Sequence, residues 1–441
     1  MTATGAAGGL AARAEAVLAA NWRDGSTVPS GNQYPHQWGW DTAYIALGWS
    51  WLDDRRAAQE LESLLRGQWA DGRVPHIVFD PGVDEHAYFP GPASWDSAGA
   101  PGGPAAGVAT SGLTQPPLHA RAVLEVAQRT SDGAAADAFL RRVFPQLVAQ
   151  HEYLAGRRNA GGAGLAAIVH PWESGLDDSP AWDEALAAVE LPPEGIAGYQ
   201  RRDRLHVDPD ERPSDAAYDR FVHLMRVYQD GGYADDALAA RSEFVVEDPL
   251  FNAIWLWSTH ALAEIASWVG ADPGPYREAA AGLHTALLSR LWDAERRRFL
   301  PRDLRAGRLV DRRTVLSLAP LLDPDLPAEI AHTVADELDS PHFHSEAGIG
   351  VASADLLGAD FDRRRYWRGP VWANLNWLLA RGLRQHGLSD QAARLEATTL
   401  HLAEHGGIRE YFDPLTGEGR GSDDFSWTAA VLLDILRAER A

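Results

Sequence analysis

Cysteine is absent from the 441 residues, so the chain has neither a disulfide framework nor a thiolate metal site, and the redox compartment stays open. Lysine is absent too: all 40 basic residues are arginine, which reads as genomic composition or selection for durable ion pairs. Positive charge is in deficit, with 62 acidic residues and a formal charge of −22. Nucleic acids and anionic membrane surfaces would be repelled. No apolar run approaches the length that crosses a bilayer. The N-terminal Met1-Thr2-Ala3-Thr4-Gly5 stretch lacks a basic start followed by an apolar core, so no signal peptide and a cytoplasmic location are expected. No Gly-rich loop backed by lysine offers a phosphate cradle, which counts against a phosphorylase.

Apolar residues make up 45%, ample for a large core. The 17 tryptophans exceed what a core usually needs, so most should pack and a minority should line a site. Helical periodicity covers Leu10–Trp22, Asp41–Leu52, Arg55–Trp69, Leu113–Arg129, Ala134–Leu154 and Ser214–Tyr228. It resumes over Pro249–Val269, Tyr276–Trp292, Ala328–Leu338, Val371–His386, Asp390–His405 and Phe425–Arg437. Ser214 and Asp423-Asp424 offer N-cap oxygens, and Gly369-Pro370 places Pro at a first turn. No fixed repeat of an open solenoid is present, and Trp-rich polar motifs stand at helix starts. A closed all-α toroid of helical hairpins gathers those starts on one rim, in a single domain over 1–441. Two Gly- and Pro-rich stretches, at about 79–107 and 191–212, carry Tyr88, Phe89, Trp95 and Tyr199 and are expected to be lids.

Three segments can carry chemistry. They are His170-Pro171-Trp172-Glu173-Ser174-Gly175-Leu176-Asp177-Asp178, Arg409-Glu410-Tyr411-Phe412-Asp413-Pro414-Leu415-Thr416-Gly417, and Tyr34-Pro35-His36-Gln37-Trp38-Gly39-Trp40-Asp41. Glycoside hydrolysis needs one protonated and one ionised carboxyl flanking the sugar. Asp177, beside Asp178 and near Trp172, has neighbours that raise a pKa, and Glu410 sits among aromatics before the last helix. Asp177-Asp178-Ser179-Pro180 also suits a helix N-cap, and Glu410 to Pro414 also suits a turn, so residues alone leave both open. The 16 histidines, among them His36, His170, His206 and His344, offer no base pair for epimerisation.

Together with Tyr366-Trp367-Arg368-Gly369-Pro370-Val371-Trp372 and Phe425-Ser426-Trp427-Thr428, these segments resemble glycoside hydrolase family 63 from about Tyr34 to Thr428. The resemblance is strongest to its glucosylglycerate- and mannosylglycerate-hydrolysing branch and extends more distantly to trehalases. It implies an (α/α)6 toroid and an inverting mechanism, with Asp177 as general acid and Glu410 as general base. Asp178 stands where the family commonly has Asn, which makes it a rival acid; Glu418 is the rival base. Tyr34, Trp38, Trp40, Asp41, Gln115, Trp172, Trp367 and Trp372 are implied around the sugar. Asp41 is alternatively an N-cap, and Trp372 and Trp427 are alternatively core. A hydroxy-acid aglycone needs a fixed cation: Arg212 is the first candidate, Arg368 the second, with Tyr88, Tyr218 and Tyr366 as hydroxyl donors beside it. Arg220 alternatively pairs only with neighbouring carboxylates. The substrate is then a small α-glycoside of glycerate, with a neutral glucoside such as trehalose or a non-catalytic sugar binder as alternatives. No cofactor and no catalytic metal are expected, since Asp178 and Asp183 are too few oxygens for structural calcium.

Overall fold

Each periodic stretch folds as a helix. The computed structural model describes residues 3–236 and 241–438, so the ends of the expected 1–441 domain lie outside it. We label the twelve long helices α1 (Ala3–Asn21), α2 (Gly39–Trp49), α3 (Asp54–Leu65), α4 (His119–Arg129), α5 (Gly133–Arg157) and α6 (Asp215–Asp230). The others are α7 (Pro249–Val269), α8 (Gly274–Leu291), α9 (Ala328–Leu338), α10 (Ala373–Gln385), α11 (Ser389–Gly406) and α12 (Ser426–Ala438). A 3-10 segment, Val315–Leu322, lies between α8 and α9.

Their starts follow local chemistry. Asp53, Asp132, Ser214 and Asp248 accept backbone N–H groups at the heads of α3, α5, α6 and α7. Two starts differ from the sequence reading. The Pro116-Pro117 pair delays α4 to His119, because the residue before a proline is pushed out of the helical region. Pro370 also lies outside its helix: Val371 exchanges two backbone hydrogen bonds with Phe412, at 2.8 and 2.9 Å, and α10 begins at Ala373. Asp423 pairs with Arg409 ahead of α12.

Apart from α6, inner and outer elements alternate along the chain. Every residue of α2 and of the 3-10 segment is buried, as suits elements apolar all round. α2 packs on α4, α4 on α7, α7 on the 3-10 segment, that segment on α10, α10 on α12, and α12 on α2. The succession returns to its start. Five inner elements are backed by the next helix in the chain: α3 on α2, α5 on α4, α8 on α7, α9 on the 3-10 segment and α11 on α10; the sixth, α12, is backed by α1 from the other end of the chain. Strands are two residues long and tie loops together, the largest set being an antiparallel sheet ordered Arg308–Leu309, Arg302–Asp303, Val246–Glu247, Ala167–Ile168. Among the described residues no helix is long and apolar enough to cross a membrane.

Candidate active site

The N-terminal ends of the inner elements carry the polar, aromatic motifs. Trp38 is fixed by the pairing of Gln37–Trp38 with Ile77–Val78, and Trp40 and Asp41 form the first turn of α2. The helix starts at Gly39 with Trp38 as its cap, so Asp41 lies inside the first turn and is not an N-cap. Gln115 lends its Oε1 to the Trp40 N–H at 3.2 Å.

The segment that carries Asp177 is braced from behind. Glu173 is fully buried, takes both forks of Arg158 at 2.7 Å, and accepts the Val169 and Thr114 N–H groups at 2.8 and 3.3 Å. Gly175 has φ +73°, and a Cβ there would stand 2.8 Å from the Trp40 ring, so only glycine lets the segment close on Trp40. Asp177 follows with no side-chain donor on its carboxyl among the described residues. Burial, then the Asp178 and Glu410 charges, push its pKa up to about 8 against the pull of Arg212.

Glu410 leads into the Tyr411–Phe412/Gly419–Arg420 hairpin and has the opposite surroundings. Its Oε1 accepts the Tyr34 hydroxyl at 2.8 Å and Arg212 Nη1 at 3.4 Å; its Oε2 accepts Arg212 Nη2 and the Ser422 N–H, both at 2.9 Å. Burial holds the Tyr34 hydroxyl protonated, as that donation requires. Donors on both oxygens match an ionised, acceptor-only carboxylate. Gly421 permits this approach, since a Cβ there would lie 2.4 Å from Oε2. Burial also raises Asp41 well above the carboxylate range, with help from Glu410 and Asp177.

One pocket joins these groups. Asp177, Glu410, Tyr34, Trp38, Trp40, Asp41, Tyr88, Gln115, Trp172, Arg212, Tyr218, Tyr366 and Trp367 all line it. It encloses about 760 Å³, open mouth included, within the usual size for small-molecule sites. Trp372 is the exception: it lies behind Trp367, stacked on it with centroids 3.5 Å apart and planes 9° apart, and supports the wall instead of forming it. Trp427, open to either reading, does line the pocket. Five of the 17 tryptophans do so, the minority expected.

Several alternatives are excluded by their partners. Asp178 is buried against Arg365, at 2.7 and 3.1 Å, and Arg368, at 3.4 Å, outside the pocket lining, so it is not the rival acid. Arg368 also holds Asp183, which leaves it no free fork for a ligand carboxylate. Glu418 is exposed and paired with Arg420 at 2.6 Å, away from the pocket, so it is not the rival base. Arg220 donates to the Ala216 carbonyl and stays outside the lining. Tyr218, by contrast, keeps its place in the lining while its hydroxyl donates to the Phe89 carbonyl at 3.3 Å. His76, Asp203 and Phe425 also line the pocket. Sequence reasoning missed all three: His76 and Asp203 sit in irregular segments without a motif, and Phe425 reads as the apolar start of α12.

The two Gly- and Pro-rich stretches meet over this pocket. Phe89 stacks on Tyr199 at 5.2 Å, and Tyr199 on Tyr218 of α6 at 5.8 Å. Gln33 donates to the Asp203 carbonyl at 2.9 Å, joining the second stretch to the segment that carries Tyr34.

Against known proteins, residues 34–428 match the family described as the mannosylglycerate hydrolase MGH1-like glycoside hydrolase domain. The mannosylglycerate hydrolase of Rubrobacter radiotolerans is 40% identical over 97% of this chain and 96% of its own length. The glucosylglycerate hydrolase of Mycolicibacterium hassiacum is 37% identical over 97% of each. The crystal structure of the family 63 mannosylglycerate hydrolase of Thermus thermophilus with Tris and D-glycerate superposes with a TM-score of 0.89. It is 40% identical, covering 96% of this chain and 99% of that one.

Proposed function

The chain belongs to the mannosylglycerate hydrolase MGH1-like glycoside hydrolases, and from that membership and its two unlike pocket carboxyls we propose that it hydrolyses a small α-glycoside of glycerate with inversion. Glucosylglycerate is the first substrate to test and mannosylglycerate the second; the products are the free sugar and glycerate. The observation that carries this reading is the contrast between Asp177, held neutral, and Glu410, filled with donors, in one pocket. The enclosing architecture fits the six-hairpin (α/α)6 toroid, as one catalytic domain over 1–441 with the stretches at about 79–107 and 191–212 as lids.

Asp177 protonates the glycosidic oxygen while Glu410 takes a proton from water attacking the far face of the sugar. Their carboxyls then stand roughly 6.5–9.5 Å apart in the productive complex. Trp38, Trp40, Trp172 and Trp367 offer ring faces to sugar C–H groups. The indole N–H groups of Trp38, Trp367 and Trp427 are buried without protein partners, which suits them to donate to sugar hydroxyls. Asp41 and Gln115 serve the same hydroxyls.

Arg212 has two duties in this scheme. Its Nη groups hold Glu410, while its buried Nε–H has no partner in the protein. A glycerate carboxylate seated near Tyr88, Tyr218 and Tyr366 claims that fork, and sharing it releases a lone pair of Glu410 to the attacking water. Substrate charge thereby favours a working base without being required for it.

The test is proton NMR of the released sugar from α-glucosylglycerate, α-mannosylglycerate and trehalose during the first minutes. Early β-anomer from a glycerate glycoside, lost in Asp177→Ala and Glu410→Ala, is the expected result. Early α-anomer would sink the inverting pair, and release from trehalose alone would sink the glycerate reading.

A further inference from the structure

Outside the pocket, the last turn of α11 reads His401-Leu402-Ala403-Glu404-His405. Residues three and four apart share one face of a helix, so the two imidazoles and the carboxylate are brought together by periodicity alone. All three are exposed, and one ligand atom from each lies within 4.8 Å of the others. The two rings sit with centroids 4.1 Å apart. From this geometry we propose a site for a divalent transition-metal ion, with zinc as the type case, at His401, Glu404 and His405.

The donor set is the first ground. Two imidazole nitrogens and one carboxylate oxygen make a three-protein-ligand shell with a fourth position open to water. Tetrahedral bonds of about 2 Å draw such ligand atoms to ~3.3 Å apart, a rotamer adjustment open to exposed side chains. The second ground is the hydrogen bond of His405. Its Nδ1 meets the His401 carbonyl at 2.9 Å, and a carbonyl can only accept, so in the neutral ring Nδ1 carries the proton and Nε2 is the nitrogen open to a metal. Ligating histidines are commonly fixed in this way by a backbone oxygen. The third ground is pairing. Other acids paired along or against α11 are matched with arginine, as in Glu396 with Arg384 and Asp339 with Arg394. Glu404 instead forms no ion pair with arginine among the described residues, and its nearest ligand-type neighbours are the two imidazoles. The −22 charge of the chain adds a general attraction for cations.

The site is far from idle in its placement. Gly406 ends α11 against the base-bearing hairpin, where a Cβ would stand 2.8 Å from the Gly417 carbonyl. A metal clip across the final turn therefore stiffens the element that leads directly to Glu410.

A second group, His260, Asp323 and Asp325, serves as the internal control. It offers one nitrogen only, and Asp323 is already engaged by His284 at 2.6 Å. Zinc titration of the tag-free protein by calorimetry should show one equivalent bound. Affinity should drop at least tenfold in His401→Ala and in His405→Ala, fall several-fold in Glu404→Gln, and stay unchanged in His260→Ala. All four variants should melt like the parent in EDTA. Absence of zinc binding overturns the assignment, and so does binding that survives the His401→Ala/His405→Ala pair.

Discussion

Asp177 and Glu410 share a pocket, yet the protein treats them in opposite ways. Asp177 is given apolar walls, a neighbouring Asp178 and no side-chain donor, whereas Glu410 receives four donor contacts over its two oxygens. Residue type does not set the difference. Aspartate is the stronger acid in water, but here it is the one kept protonated. In the proposed mechanism these surroundings decide which carboxyl gives a proton and which takes one.

The largest expected effect tests that division directly. Asp177→Asn and Glu410→Gln should each lower kcat/KM on the glycerate glycoside by about 10³–10⁴-fold, near the upper reach of general acid–base catalysis. An α-glycosyl fluoride needs no protonation of its leaving group. Asp177→Asn should regain most of its loss on it, measured as fluoride release, and Glu410→Gln should regain none. Equal recovery would erase the distinction. Next in size, Arg212→Ala leaves Glu410 buried without its cation and removes the cation proposed for the aglycone, so a loss of about 10²-fold is expected on the glycerate glycoside. Its loss on a neutral aryl glycoside should be smaller.

The pH profile sharpens the same comparison. The useful form of Asp177 is the protonated one, and its pKa is raised from 3.8 to about 8. Activity should therefore hold through neutrality and fall tenfold per pH unit above about 8, a limb missing from Asp177→Asn. In folding terms the native state keeps a proton that the unfolded chain releases. The stability tied to that proton is present below the unfolded pKa and lost as pH rises towards about 8. Asp177→Asn should thus melt higher than the parent at pH 7.5, with a gain of about 1–3 kcal/mol. The smallest effect belongs to Tyr34→Phe, which removes one of the Glu410 donors; a three- to tenfold fall in kcat with KM nearly unchanged is expected from steady-state kinetics.

The legible parts of the molecule share a physical cause. All twelve long helices announce themselves because each shows one apolar face or a continuous apolar run, and caps such as Ser214 mark their starts. The 3-10 segment Val315–Leu322 was illegible: it is short, contains Pro320 and is apolar on every side, so it carries no period to read. Pocket residues within motifs were legible by resemblance, and thirteen of the fourteen candidates line one cavity. Trp372 failed because a pattern gives neighbours but not depth, and two adjacent indoles can stack so that only the outer one meets a ligand. The double attachment of Arg212 was equally hidden, since it joins residues 198 positions apart.

The ladder of Phe89, Tyr199 and Tyr218 has a mechanical consequence. Its rungs come from the first lid-like stretch, the second, and α6, so neither stretch can swing clear without breaking a rung that the other also uses. In the lid role proposed above, entry and exit behave as one hinged hatch with a shared latch, and the time a product spends inside follows how often that latch slips.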